Sequence, residues 1–398
     1  MRTTVLLCCL VLVAACTSEV VPPPVTVTPA PAPVPAATTA EVPEVPVASP
    51  VDSLLASLDA RALVGQMIVV YRADNAFLLD HGFGGVLLFK TMLRDPVSLR
   101  RDLDALQAAA PVPYLVALDQ EGGAVSRLDA LPGWEQGTPG AVAMGGWPQD
   151  AVRAEGRRIG LVLAGLGVNL NLAPVLDSAV AWDGATGWMG RRGRAFGAGA
   201  AEIVPAARAF AAGCRDAGVG CLAKHFPGYD VAANSDLEPA RSGADLPAIE
   251  AGAARFAALG DVATGLMMSS IIYPPVDEAP AVLSPAVVRL ARRASPAGLI
   301  MTDDLWGTAL RGWQRPDLQI LPAEYPDADW LALGERAVRA GNDLLLVTYP
   351  AKAALLQRLL AERLPADAEL RGLVEAAVRR VLAAKVELGL VPRGTSAP

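Results

Sequence analysis

From Val51 to about Leu388, short apolar runs alternate with longer stretches in which apolar side chains return every three or four residues. Apolar runs bounded by turn residues predict strands buried on both faces, and the longer period predicts the helices that cover them. Eight runs have the strand form: Gly65–Tyr71, Gly85–Phe89, Tyr114–Leu118, Val168–Leu176, Cys221–His225, Gly265–Ser270, Gly298–Thr302 and Asp343–Tyr349. Between the second and third, Asp95 stands where a cap belongs, Pro96 suits a first helical turn, and Leu99, Leu103 and Leu106 share one face. Further helices are predicted over Ala198–Ala217, stopped by Gly218, and over Pro365–Leu388. Eight such repeats predict an α/β protein built as one closed (β/α)8 TIM barrel over residues 51–393. An open doubly wound sheet is the rival fold, but no glycine-rich phosphate fingerprint follows an early strand.

The first fifty residues break this pattern. Arg2, the apolar stretch Val5–Val13 and Ala14-Ala15-Cys16 have the layout of an export signal, and the stretch is too short for an ordinary membrane span. Val13-Ala14-Ala15-Cys16 resembles a bacterial lipobox, which makes Cys16 the expected lipidation site; a plain export signal is the alternative. Residues 1–16 are therefore read as a lipoprotein signal peptide and the protein as an exported lipoprotein of the cell envelope, periplasmic or anchored to the outer membrane. Residues 17–50, rich in Pro, Val, Ala and Thr, read as a disordered tether that would reach about 100 Å at about 3.1 Å per residue. Residues 394–398 read as a disordered tail. Of five cysteines, Cys214 and Cys221 remain in the folded part, either paired in an oxidising compartment or as two buried thiols.

Composition narrows the chemistry. The chain has 398 residues, 53% of them hydrophobic, and a formal net charge of −7. No basic patch stands out, which argues against a nucleic-acid partner. With His81 and His225 far apart and no Cys-x-x-Cys, the sequence offers no metal site of ordinary spacing and calls for no cofactor. Neither histidine has the context of a nucleophile elbow. His81, in a Gly-flanked loop before a strand, is read as incidental.

Chemistry in a barrel gathers where strands end. Tyr114–Leu118 runs into Asp119-Gln120-Glu121-Gly122-Gly123, Cys221-Leu222-Ala223 into Lys224-His225-Phe226-Pro227-Gly228, and Gly298–Met301 into Thr302-Asp303-Asp304-Leu305. Together with Gly84–Phe89, Leu172–Asp177 and Arg194–Gly197, these motifs stand in the order and spacing of glycoside hydrolase family 3, and the chain from about Leu54 to Val391 resembles the bacterial β-N-acetylglucosaminidases of that family. The resemblance implies a retaining hydrolase, acting as a monomer on N-acetylglucosamine-containing glycans such as peptidoglycan fragments. Its nucleophile matches Asp303, and its sugar-binding residues match Asp119, Arg127, Arg194, Lys224 and His225. Asp304 is read as structural.

The family pattern breaks in one loop. Relatives carry Asp-Ser-His there, with the histidine handling the proton, whereas this chain has Asn234-Ser235-Asp236. Ser270 stands where a histidine is usual, and Ala124 where an arginine is usual. Asp236 is the candidate acid/base, ahead of Asp230 and Glu238, provided burial lifts its pKa. The alternative is a sugar- or cell-wall-binding lipoprotein with impaired catalysis. Trp182, Trp188, Trp306, Trp313 and Trp330 lie in or near loops after strands and are candidates to stack on sugar rings or to form local core.

Overall fold

The computed structural model describes residues 49–317 and 325–392. Cys16, the signal, the tether reading as far as residue 48 and the 394–398 tail lie outside the described residues, and the tether stops short of residue 50, because Ser49 caps and Pro50 begins a helix, Pro50–Ser57.

Eight parallel strands form one sheet: β1 (Ile68–Tyr71), β2 (Gly85–Leu88), β3 (Leu115–Leu118), β4 (Leu170–Asn171), β5 (Gly220–Phe226), β6 (Gly265–Met268), β7 (Leu299–Met301) and β8 (Leu345–Val347). Pairing runs β8-β1-β2-β3-β4-β5-β6-β7. A parallel bridge between Met301 and Leu344 joins the two edges, so the sheet curls into a nearly closed (β/α)8 barrel.

Side chains alternate as strand geometry requires. Val69, Leu87, Leu115, Ala117, Leu222, Met267, Leu299 and Leu346 fill the barrel interior, while Ile68, Val70, Val86, Leu88, Val116 and Ile300 face the helices. The C-terminal helix Ala368–Glu387 adds Val381 and Ala384 to the interior cluster. Its Lys385 is wholly buried and donates to Gln66 Oε1 at 2.7 Å.

The helix expected after the second strand spans Pro96–Ala109, with the Asp95 carboxylate accepting from Ser98 N at 3.0 Å and Leu99, Leu103 and Leu106 buried. The next expected helix spans Ala200–Asp216, and Gly218 leaves it at φ 79°. The last starts later than Pro365 because Asp367 caps it, accepting from Leu370 N.

Three expectations need correction. Gly65 and Gln66 end the helix Ala60–Gln66 and do not begin β1. The fourth strand is two residues long rather than the whole of Val168–Leu176. There the side-chain amides of Asn169 and Asn171 take over pairing to the neighbouring chain, at Val116 N and Gln120 N, and Pro174 has no N–H with which to continue a ladder. His81 closes the helix Asn75–His81 and stacks on Phe83, so it is not in a loop. Cys214 and Cys221 are buried free thiols, not a disulfide.

Candidate active site

At the C-terminal mouth of the barrel lies a cleft of about 740 Å3. Asp119, Arg127, Arg194, Lys224, His225, Asp236 and Asp303 all line it, as do Glu121, Tyr229, Ser270, Trp188 and Trp306.

One wall is an ion-pair cluster. Asp119 follows β3 and accepts from Lys224 Nζ at 2.6 Å, with an Arg127 nitrogen 3.7 Å from its other oxygen. Glu121 takes a bidentate pair from Arg194, both contacts 2.8 Å, and a further contact from Lys224 at 2.7 Å. The turn that aims Glu121 needs glycine, since Gly122 and Gly123 have φ of 91° and 55°. Burial pushes the Glu121 carboxyl up, but Lys224 and Arg194 outweigh it and hold the group at about 2. For Lys224, burial disfavours the charge while Asp119 and Glu121 favour it, and the net shift is upward. Glu121, Lys224 and Arg194 are therefore charged at neutral pH and held by one another.

Adjacent residues on a regular strand point to opposite faces, yet Lys224 and His225 both line the cleft. A register shift between Lys224 and Phe226 against β6 accounts for it, because a bulge re-aims the side chain next to it. Asp177 then locks the imidazole. Its carboxylate lies 2.6 Å from His225 Nδ1 and also accepts from the backbone N–H groups of His225 and Tyr229. With Asp177 ionised, Nδ1 carries a proton and Nε2 is the nitrogen left for the cleft.

Asp303 follows β7, and the strand end is stitched to β8 on both sides of it. Thr302 Oγ1 accepts from Leu346 N, and Asp304 accepts from Thr348 N, Thr348 Oγ1 and Trp306 N. Asp304 is thus spent on structure. Asp303 accepts only from Asp304 N, at 2.8 Å, among the described residues. Burial, then the charge of Asp236, push its carboxyl up to about 6 against the opposing pull of His225.

The loop from Tyr229 is ordered by that residue's hydroxyl, which accepts from Ser235 N and donates to Ala233 O, each at 2.7 Å. Asp236 reaches the cleft from this loop but is exposed, so the burial on which its proton-donor reading depended is missing. Asp230 and Glu238 do not line the cleft. Among the tryptophans, Trp188 and Trp306 line it; Trp330 is fully buried beneath Trp306, and Trp182 and Trp313 lie elsewhere. Sequence reasoning missed the roles of Glu121 and Asp177, although both stand inside motifs it had singled out.

A barrel with carboxylates and fixed, charged hydrogen-bonding groups at its C-terminal mouth suits a carbohydrate-processing enzyme. Comparison with known proteins agrees. The glycosyl hydrolase family 3 N-terminal domain matches residues 59–384. A beta-hexosaminidase of Alkalilimnicola ehrlichii is 34% identical over 247 residues, covering 58% of this chain and 68% of that protein. One of Aromatoleum aromaticum is 32% identical over 284 residues, covering 68% and 73%. The crystal structure of the beta-N-acetylhexosaminidase from Beutenbergia cavernae superposes with a TM-score of 0.72 at 30% identity, over 83% of this chain and 99% of that one. The chain belongs to glycosyl hydrolase family 3 and is a glycoside hydrolase.

Proposed function

We propose that this hydrolase cleaves β-N-acetylglucosaminide bonds with retention of configuration, on glycans such as peptidoglycan fragments, while held to a membrane by lipid on Cys16 and acting as a monomer. The observation that carries the mechanism is the placement of Asp303 on the same cleft as the Asp119–Lys224–Glu121–Arg194 cluster. The substrate class rests on relatives that are beta-hexosaminidases. The anchor rests on Val13-Ala14-Ala15-Cys16.

Asp119 accepts hydrogen bonds from sugar hydroxyls, while Arg127, Arg194, Lys224 and His225 Nε2 bind the ring's other oxygens. The ionised Asp303 attacks the anomeric carbon, the glycosidic bond breaks, and Asp236 gives its proton to the departing oxygen. In the second step Asp236 takes a proton from water, whose oxygen displaces Asp303 from the same carbon. A bound sugar covers Asp236 and supplies the desolvation that the open cleft lacks. The exposed Asp236 also supports a second reading, a cleft that binds sugar with impaired turnover.

The test compares wild type, Asp303→Ala and Asp236→Ala on aryl N-acetylglucosaminides with good and poor leaving groups. Asp303→Ala is expected to abolish turnover, and Asp236→Ala to lower kcat/KM only for the poor leaving groups, while loss of the base in the second step slows release of the glycosyl-enzyme on both. Binding without turnover in the wild type would establish the second reading.

A further inference from the structure

A second cleft, of about 530 Å3, lies behind the loop that carries Asp236. Its lining includes Trp182, Asp230, Arg255 and Tyr273. None of these takes part in the chemistry above.

Trp182 sits on a tight turn closed by Ala181 N donating to Ala185 O at 2.8 Å and Gly184 N to Ala181 O at 3.0 Å. Its own N–H is tied to Asp230 O at 2.9 Å. One side of the indole packs on Gly243, where an added Cβ would come within 2.5 Å of the ring. The residue is nonetheless 54% exposed. An indole backed by main chain on one side and open to solvent on the other is a fixed platform on which a flat apolar ring face can stack.

The polar groups beside it are incompletely used. Asp230 accepts from Ser242 Oγ through one oxygen at 2.6 Å, and its other oxygen is buried without a partner. Burial pushes this carboxyl up to about 6. Arg255 has no ion pair among the described residues, and its hydrogen bonding there amounts to a 3.5 Å contact to Gly252 O. Each group is within electrostatic reach of the other, yet they do not pair.

We propose that this cleft is a second carbohydrate-binding site, which takes an uncharged pyranoside stacked on Trp182 with its hydroxyl and acetamido groups divided between Asp230 and Arg255. One carboxylate and one guanidinium side by side disfavour a ligand of either net charge, and an indole face matches the C–H face of a pyranose. The volume suits one or two sugar rings. Because Asp230 and Asp236 belong to one loop, a glycan held here rests against the back of the segment that carries the candidate acid. The inference goes beyond hydrolysis and depends on the proposed substrate only for its probe.

The full chain carrying Asp303→Asn, to prevent turnover, is titrated calorimetrically with the N-acetylglucosamine tetrasaccharide, with and without Trp182→Ala. Two binding events are expected, of which Trp182→Ala weakens one at least about tenfold, a loss equivalent to 1.4 kcal/mol. Trp182→Ala alone should hydrolyse the aryl substrate at the wild-type rate, which also checks its fold. If that variant fails to fold, the indole N–H resonance of Trp182, assigned with Trp182→Phe, must shift on titration. A single event insensitive to Trp182, an unmoved resonance, or saturation of the site by alanyl-alanine and not by the glycan overturns the proposal. Trp182-dependent binding together with a wild type that does not hydrolyse the aryl substrate would instead refute the proposed function and leave this site standing.

Discussion

Asp236 performs two separable tasks in the proposed scheme, and Asp236→Asn exposes both. Its charge is the second cause, after burial, of the raised Asp303 carboxyl at about 6. If Asp303 is the nucleophile, as proposed, it must be ionised to attack, so wild-type kcat/KM on an activated aryl glycoside falls as pH drops through about 6. At pH 5 roughly a tenth of the nucleophile remains ionised. Removing the neighbouring charge lowers the Asp303 pKa, and the acid limb moves to lower pH. The variant at pH 5 therefore keeps a larger fraction of its own plateau rate than the wild type does. On a poor leaving group the same substitution costs about 10²- to 10⁴-fold at the plateau, the usual worth of a positioned proton donor. The assay is the pH dependence of kcat/KM from pH 4 to 8 on one activated and one unactivated substrate. An acid limb that stays in place, together with equal losses on both substrates, would refute the reasoning, because neither the charge nor the proton of Asp236 would then be reaching Asp303 or the leaving oxygen.

The remaining predictions concern stability. Glu121→Ala leaves Arg194 buried without its carboxylate and Lys224 with Asp119 alone, and should cost about 3–5 kcal/mol in urea unfolding at pH 7. Because Glu121 is held at about 2, below its ordinary 4.5, it stabilises the fold fully above that ordinary value, and about 3 kcal/mol is lost as pH falls toward 2; acid unfolding that lacks this loss contradicts the pairing. Lys385 is pulled down to about 7 by burial, so the unfolded chain binds more protons between pH 7 and 10.5 and wild-type stability rises with pH across that window. Lys385→Met should flatten the rise, which denaturant midpoints at pH 7 and 10 measure directly. Asp95→Ala removes the cap on Ser98 N and should cost about 1 kcal/mol, read as a lower thermal midpoint at unchanged activity.

Most of the barrel was legible in the sequence, because short apolar runs bounded by turn residues read as strands buried on both faces, and eight of them with intervening helical periods leave few other ways to close a core. The sequence also determined which strand ends carry polar groups, since Asp119, Lys224 and Asp303 each follow an apolar run directly. The helix begun by Asp95 and Pro96 was legible for a local reason: a cap acts within one turn. Tertiary structure alone decided everything that depends on groups far apart in the chain. Glu121 meets Arg194 and Lys224, and Asp177 meets His225, only after strands have paired in order. The bulge beside Lys224 is set by its neighbour strand, not by the Lys-His pair itself. Whether a loop carboxylate such as Asp236 is covered or open is likewise a property of what folds over it, and no spacing in the sequence carries that information.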